Sequence, residues 1–164
     1  VFGAIAPNPA LIQQMLAVLQ PTGQLALAET VPRDSQRLWQ LVPADKLSGK
    51  LPERWRQAEE ALYSDDADPR FAWDGEHLAQ LLETAKLSVT WSQSRVQSDL
   101  FISEKLCDRW FDATNPNSYR SRLAPTLSSR DLTAIEQALR RQVQNQTVRW
   151  QSTQLFVTAR QANG

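Results

Sequence analysis

The sequence contains little glycine, one cysteine and one histidine, and these shortages exclude several kinds of functional site. Its five glycines stand at positions 3, 23, 49, 75 and 164. They are too far apart for the G-x-G-x-x-G and G-x-x-x-x-G-K-[ST] loops that cradle phosphates. A zinc site of the usual kind cannot be assembled from Cys107 and His77 alone. The chain is therefore expected to hold no metal and no glycine-rich cofactor loop.

The two rare side chains have ordinary structural interpretations. Cys107 excludes an internal disulfide, fits a reducing compartment and follows Leu106 in an apolar run, which favours a buried thiol. His77 lies beside the apolar positions of a predicted helix, and no G-x-S-x-G nucleophile elbow accompanies it. We therefore expect His77 at the surface or satisfied within the fold, and not in a catalytic triad.

Long apolar runs are also missing, so the sequence predicts neither a membrane span nor a signal peptide. The length of 164 residues suits a single domain with a real core, predicted over residues 1–164. The formal net charge is zero, which argues against a partner held by electrostatic attraction to the whole surface, such as nucleic acid or an anionic membrane. These features predict a cytoplasmic protein. The chain begins at Val1 in an apolar run without an initiator Met, as a fragment does.

The charge is unevenly distributed along the chain. Residues 1–99 contain 9 Lys and Arg against 13 Asp and Glu, whereas residues 100–164 contain 9 against 5. This asymmetry indicates either a basic face or merely solvated helix faces. Trp150 follows Arg149, and Arg140 and Arg141 stand upstream of it. An aromatic ring with arginines can stack on a base, although a tryptophan is more ordinarily a core anchor. Nucleic acid stays open as a partner.

The first 29 residues have the pattern of a strand–helix–strand unit. Residues 1–6 are nearly all apolar, as in a strand buried on both faces. Asn8 and Pro9 provide an N-cap and a proline at the first helical position, and the apolar spacing continues to Leu19. Residues 24–29 are a second buried strand, which predicts a right-handed connection between parallel strands.

Further elements follow from the apolar spacing downstream. Helices are predicted after Ser35, from Pro52, after Asp74, from Ser103 and after Ser128. The acidic residues 64–69 and the polar residues 115–118 are predicted as loops. The acidic loop is not predicted to bind calcium, because it lacks the glycine and the distal Glu of a calcium loop. Residues 88–96 and 147–159 are predicted as strands. The alternation in the second strand shifts phase, which predicts a bulge near Ser152 or Thr153.

The order of these elements resembles the second half of class I S-adenosylmethionine-dependent methyltransferases. Residues 1–29 match the family's fourth strand, the following helix, its L-x-P-G-G loop and its fifth strand, with Thr22 in place of the first glycine of the pair. Residues 74–89 resemble the next helix and the sixth strand, and residues 147–159 resemble the terminal antiparallel strand. The resemblance implies an α/β, Rossmann-like half-sheet of about four strands with a final antiparallel strand. The extra helices form insertions at about 35–70 and 103–143.

The resemblance also predicts where a substrate cleft would lie. Ligands of such folds bind beyond the carboxyl ends of the strands. The candidate cleft residues are therefore Ala6, Pro7, Asn8, Glu29, Thr30 and Val31. The family's cofactor contacts belong mainly to its first three strands, so this chain is expected to bind no cofactor, while the intact domain could bind S-adenosylmethionine. The motif [DN]-P-P-[FYW] is not met after Asn8, so no catalytic residue is carried over.

Three short runs resemble a narrower group. They are residues 28–33, 109–111 and 148–152, which are similar to the methyltransferase-like C-terminal extension of bacterial replication-associated recombination AAA+ ATPases. This resemblance implies ATPase and clamp-loader-like parts upstream, acting at stalled forks. It favours a non-catalytic interaction module whose partner is the upstream part of its own polypeptide. The alternative is the substrate-side half of an active S-adenosylmethionine-dependent methyltransferase.

If the four predicted strands correspond to the family's fourth to seventh strands, they lie side by side in the sheet in the order fourth, fifth, seventh, sixth. Residues 1–5 would then form a sheet edge that is apolar on both faces, and such an edge is prone to aggregate. We therefore expect this edge, from Val1 to Ile5, to be covered by a second copy of the chain or by the extra helices.

Overall fold

The computed structural model describes residues 7–20 and 22–161, and this part of the chain is a mixture of helices and strands. Its α-helices and β-strands are, in chain order, α1 (Pro9–Ala17), β1 (Gln24–Val31), α2 (Leu51–Tyr63), α3 (Gly75–Thr84), β2 (Leu87–Ile102), α4 (Glu104–Phe111), α5 (Tyr119–Leu123), α6 (Ser129–Val143) and β3 (Gln146–Gln161). Three short 3₁₀ turns follow β1, at Pro32–Asp34, Leu38–Leu41 and Ala44–Lys46. No helix among the described residues is both long and apolar enough to cross a membrane.

The described part of the chain divides into two compact units, and the single domain predicted over residues 1–164 stays a prediction. The sheet unit contains the described residues among 1–35, 64–96 and 151–164. The helical unit contains residues 36–63 and 97–150. The long strands β2 and β3 contribute residues to both units, and each unit has its own cluster of buried apolar side chains.

The three described strands form one sheet in the order β1-β3-β2. β1 and β3 are antiparallel, with a ladder that runs from Gln24 opposite Arg160 to Val31 opposite Thr153. β2 lies on the other side of β3, and its Thr90 carbonyl accepts a hydrogen bond from the Thr158 hydroxyl. The sequence predicted this order for the three strands. The first predicted strand, at residues 1–6, and its predicted cover lie outside the described residues.

Two predicted elements differ from the structure. The predicted helix after Ser35 is wrong, because residues 35–46 form short 3₁₀ turns and the α-helix starts only at Leu51. Pro43 has no N–H and its ring clashes with the preceding turn, so an α-helix cannot continue through it. The strand predicted at residues 88–96 extends to Ile102. The middle of this strand is polar and exposed on both faces, so its sequence shows no alternation of apolar and polar residues. The strand is nevertheless long, because it pairs with β3, which has the same length.

The pairing of β3 with β1 shows no bulge at Thr153, and the predicted bulge at Ser152, outside that ladder, stays a prediction. The ladder between β1 and β3 is regular from Thr153 to Arg160. The phase shift is nevertheless real, because Val148 and Trp150 pack against the core of the helical unit, whereas Leu155 packs in the core of the sheet unit. The alternation therefore changes where β3 passes from one core to the other.

The sheet unit has its core on one side of its strands. Along β1, Leu27, Glu29 and Val31 are buried, and the residues between them are exposed. Helices α1 and α3 are in contact with each other. Each begins at a predicted cap, where the Asn8 and Asp74 side chains accept hydrogen bonds from backbone N–H groups. The buried apolar residues of this core are Ile12, Leu27, Val31, Trp73, Leu78, Leu82, Leu87, Leu155, Val157 and Ala159.

The helical unit is built from α2, α4, α5 and α6. The hydroxyl groups of Ser103, Ser118 and Ser128 cap the last three of these helices. Ser103 and Ser128 stand at predicted helix starts, whereas α5 was not predicted. The buried apolar residues of the helical unit are Leu38, Val42, Leu51, Trp55, Ala58, Ile102, Cys107, Phe111, Leu123, Leu127, Leu132, Ile135, Ala138, Leu139 and Val143. The predicted burial of Cys107 is confirmed.

Candidate functional sites

The first candidate cleft residues stand at the start of α1. Pro7 is buried and Asn8 is half-buried. The Asn8 Oδ1 atom accepts a hydrogen bond from the Leu11 backbone N–H at 3.0 Å, so Asn8 is the N-cap that the sequence predicted. Ala6 lies outside the described residues. The carboxamide oxygen of Asn8 thus stabilises its own helix.

The other candidate cleft residues end β1, and strand alternation separates them. Glu29 and Val31 are buried on the core side, whereas Thr30 is exposed on the opposite side. The Thr30 hydroxyl accepts a hydrogen bond from the Gln154 side-chain amide at 2.7 Å. These three consecutive side chains therefore do not converge on one point.

The exposed side of the sheet unit contains an apolar depression of about 370 Å³. Ala26 and Ala28 of β1 are both exposed on this side, and their small side chains leave room above the strand. Phe156, on the middle strand β3, also lines the depression and is 49% exposed. The solvated face of an antiparallel sheet ordinarily carries polar side chains, and a contiguous apolar patch on such a face is typical of an interaction surface. This depression is the first candidate site.

A second candidate is a buried carboxylate in the helical unit. The Glu59 side chain is fully buried. Its oxygens accept hydrogen bonds from the backbone N–H groups of Leu38 at 2.7 Å and Trp39 at 3.0 Å. The Tyr119 hydroxyl donates a third bond at 2.8 Å and itself accepts one from the Trp55 Nε1 at 2.6 Å. These bonds tie α2, α5 and the 3₁₀ turn at Leu38–Leu41 together.

Burial shifts the protonation of this network. Removal from water raises the pKa of Glu59 to about 7, and the hydrogen bonds from Leu38, Tyr119 and Trp39 oppose that rise. Burial likewise raises the pKa of Tyr119 well above its usual value. The Glu59 side chain is 0% exposed, so solvent does not reach its carboxylate. The network therefore has the geometry of a structural anchor and lacks the access to substrate that a general base needs.

The third candidate is a basic groove of about 420 Å³ in the helical unit. It lies between α6 and the first turns of α2 with the segment that leads into them. Its four cationic side chains are Lys46, Arg54, Arg130 and Arg141, and its one carboxylate is Asp131. Arg54 donates to the Asp131 Oδ1 at 2.8 Å. The groove therefore carries a net positive charge in a chain whose formal net charge is zero.

The Asp131 carboxylate is already used within the groove. The Ser128 hydroxyl donates to it at 2.8 Å, and this bond, with the nearby Arg54, lowers the pKa of Asp131. By contrast, Arg130 and Arg141 are exposed, and their side chains make no ion pair or hydrogen bond with another described residue. Two guanidinium groups are thus available to an anion from outside.

An apolar pocket of about 410 Å³ adjoins the basic groove. Leu47 lines both. The pocket's walls include Trp39, Val42, Pro52 and Trp55. Its two charged side chains, Glu53 and Arg56, pair with each other at 2.8 Å. The pocket therefore offers aromatic and aliphatic surface beside a positively charged groove.

Sequence reasoning missed this groove because its residues come from distant parts of the chain. Arg54 and Asp131 are separated by 77 positions. One signal was present in α6, where Arg130, Ala134, Gln137 and Arg141 recur with helical spacing and so share a face. Of the arginines that the sequence singled out, Arg141 lines this groove, whereas Arg140 pairs with Asp108 and Glu136 and Arg149 lies 4.0 Å from Asp99.

His77 is exposed on α3, and its backbone N–H donates to the Asp74 cap. Across residues 7–20 and 22–161, no three His, Cys, Asp or Glu side chains are grouped closely enough to hold a metal ion.

Neither a protein-family model nor a curated protein sequence matches the chain.

Proposed function

We propose that this chain is a methyltransferase-like, non-catalytic interaction module of a larger AAA+ ATPase that acts in DNA replication and recombination repair. The strand order β1-β3-β2, with β3 antiparallel to β1, supports this proposal. It is the order in which the fifth, seventh and sixth strands of a class I methyltransferase-type, Rossmann-like sheet would lie. The chain would then supply one end of that sheet.

The observation that carries the interaction role is the exposed apolar side of the sheet unit. Phe156, on the middle strand, is 49% exposed above the small side chains of Ala26 and Ala28. Covering such a side chain contributes about 25 cal/mol for each Å² of apolar surface removed from water. In our proposal the upstream part of the same polypeptide covers this surface.

The engagement of the candidate cleft residues favours a role without catalysis. The Asn8 carboxamide caps α1, the Thr30 hydroxyl accepts from Gln154, and Val31 is fully buried. A catalytic group must reach a reacting atom of the substrate. These groups instead stabilise the local structure.

The test measures cover of Phe156 in the longer polypeptide by thiol labelling. The variant Phe156→Cys is compared with the matched variant Phe101→Cys, because Phe101 is also an exposed phenylalanine (56%) but lies outside the depression. Mass spectrometry of the labelled peptides separates both from the buried Cys107. We expect slow labelling at position 156 and fast labelling at position 101. Equal rates at the two positions would contradict the proposed interaction.

The same strand order also suits the substrate-side half of an active S-adenosylmethionine-dependent methyltransferase. Calorimetric titration of S-adenosylhomocysteine into the longer polypeptide distinguishes the two functions. We expect no binding if the module is non-catalytic. Micromolar binding would establish a cofactor site in the intact domain and replace the interaction module with the enzyme.

A further inference from the structure

The basic groove has the length of a polymer site. Arg130 and Arg141 are eleven residues apart on one helix, so at 1.5 Å per residue they stand about 16 Å apart along its axis. Eleven residues complete about three turns, which places both on the same side of α6. One phosphate group cannot span this distance. The two unpaired guanidinium groups therefore suit a chain of phosphates better than a single anion.

The neighbouring pocket adds a second, independent feature. Trp39 is half-buried in its wall, and the Trp39 Nε1 donates to the Glu60 carboxylate at 3.2 Å, which fixes the ring. A fixed indole beside a positively charged groove is the combination that single-stranded nucleic acid uses, because each base has a face that can stack. A paired duplex would keep its bases stacked inside and leave such a pocket empty.

We propose that the helical unit binds single-stranded nucleic acid, with the phosphate backbone along Arg130, Arg54 and Arg141 and a base against Trp39. Arg54 contributes although it is paired, since its guanidinium is half exposed and has further donors. The inference uses the helical unit alone. It goes beyond the ATPase assignment and holds whether or not the chain serves an ATPase.

The backbone contacts are tested with the 164-residue chain and a fluorescently labelled single-stranded DNA of roughly 15 nucleotides, in line with single-strand site sizes. Fluorescence anisotropy at several salt concentrations gives the affinity and its salt dependence. The double variant Arg130→Gln, Arg141→Gln should weaken binding at least about tenfold and reduce the salt slope by about 1.4, since each phosphate contact contributes about 0.7.

The matched control is Arg109→Gln, which removes one exposed arginine of the same unit outside the groove. It should leave the affinity within about twofold of the unchanged chain, as expected for a distant surface site. Circular dichroism melts confirm that the variants are folded. Binding by the double variant that equals that of the unchanged chain, or no binding by the unchanged chain at low salt, would overturn the proposal.

The base contact is tested with Trp39→Leu and Trp39→Phe. Both variants lose the indole hydrogen bond to Glu60, so the difference between them isolates the aromatic ring. The Leu variant should bind about tenfold more weakly than the Phe variant, in the range measured for one stacked base. Equal binding by the two variants, or competition by inorganic polyphosphate as effective as by the unlabelled strand, overturns the base contact.

The strand type is tested with the matched duplex, which should bind more weakly than the single strand. A duplex of equal affinity contradicts the single-strand assignment. None of these measurements depends on the cover of Phe156 or on S-adenosylhomocysteine, so failure of the proposed function and failure of this inference are distinguishable.

Discussion

Tyr119 donates its hydroxyl hydrogen to the Glu59 carboxylate at 2.8 Å, and the two residues are 60 positions apart in the sequence. The same carboxylate accepts the backbone N–H groups of Leu38 and Trp39. The buried Glu59 carboxylate therefore fixes the position of Trp39, which forms part of the wall of the apolar pocket. The protonation of Glu59 and the shape of that pocket are thus linked.

Stability should fall as the pH rises from about 4.5 to about 7. The folded-state pKa of Glu59, about 7, exceeds its ordinary value of 4.5. Between these values the folded chain holds a proton that the unfolded chain has released. This contribution is complete below about pH 4.5 and is lost as the pH rises through about 7. It amounts to about 3 kcal/mol, at 1.36 kcal/mol for each pKa unit. Urea unfolding at a series of pH values measures it.

The variant Glu59→Gln removes the titrating group and should abolish this pH dependence. It should also lower stability at every pH, since the amide cannot accept all three hydrogen bonds. The matched control is Glu60→Gln, whose carboxylate is 42% exposed on the same helix. The control should keep the slope of the unchanged chain. A persistent slope in the Glu59 variant would show that another group titrates.

The variant Tyr119→Phe should destabilise the helical unit by about 1–3 kcal/mol. It removes one donor to Glu59 and the acceptor of the Trp55 indole, and it leaves buried polar groups without their bonds. It should also raise the pKa of Glu59 further, because the lost hydrogen bond lowers that pKa. The fall in stability still begins near the ordinary pKa of 4.5 and then extends to higher pH. An unchanged urea midpoint would mean that the hydroxyl contributes nothing.

Local hydrogen bonds explain which parts of the fold could be predicted. Asn8, Asp74, Ser103 and Ser128 each accept from a backbone N–H three residues later. A cap therefore depends on neighbours that the sequence shows directly. The 3₁₀ turn at Leu38–Leu41 could not be predicted in the same way, because its backbone bonds go to Glu59, about 20 residues away.

The candidate sites depend even more on distant residues. The length of β2 follows from its pairing with β3, and the basic groove follows from the pairing of Arg54 with Asp131. Alternation alone could have shown that Glu29 and Val31 share one side of β1 while Thr30 lies on the other. The resemblance to a methyltransferase cleft grouped these three residues because it predicts where a strand ends. It does not predict to which side of the sheet each side chain points.

Gly75→Ala should destabilise the sheet unit by about 1–3 kcal/mol, the usual cost of overpacking. A Cβ atom at this position would lie 2.8 Å from the Trp91 Cζ3 and 2.9 Å from the Leu155 Cδ1. Alanine in an open helical position would instead stabilise by up to about 1 kcal/mol. Urea unfolding gives the sign. In a Trp91→Leu background the cost should become smaller but not vanish, because the contact with Leu155 remains. A cost of the same size there would rule out the contact with Trp91.

Ser128→Ala should destabilise the helical unit by about 1 kcal/mol, because α6 loses its N-cap. The Ser128 hydroxyl accepts from the Asp131 N–H and donates to the Asp131 carboxylate, so its loss should also raise the lowered pKa of Asp131. Stability that depends on a lowered carboxyl pKa is present above the ordinary pKa and is lost as the pH falls through the folded value. The variant should therefore lose less stability than the unchanged chain on acidification.

The matched control for this cap is Ser129→Ala, one residue further along the chain. Ser129 is exposed, and only its backbone carbonyl is bonded, to the Thr133 hydroxyl. Alanine at this position should change the free energy of unfolding by less than about 0.5 kcal/mol, as at an ordinary surface site. Because α6 carries Arg130 and Arg141, a frayed first turn in Ser128→Ala should also weaken binding of single-stranded DNA. Destabilisation of the two variants by the same amount would exclude the cap as the cause.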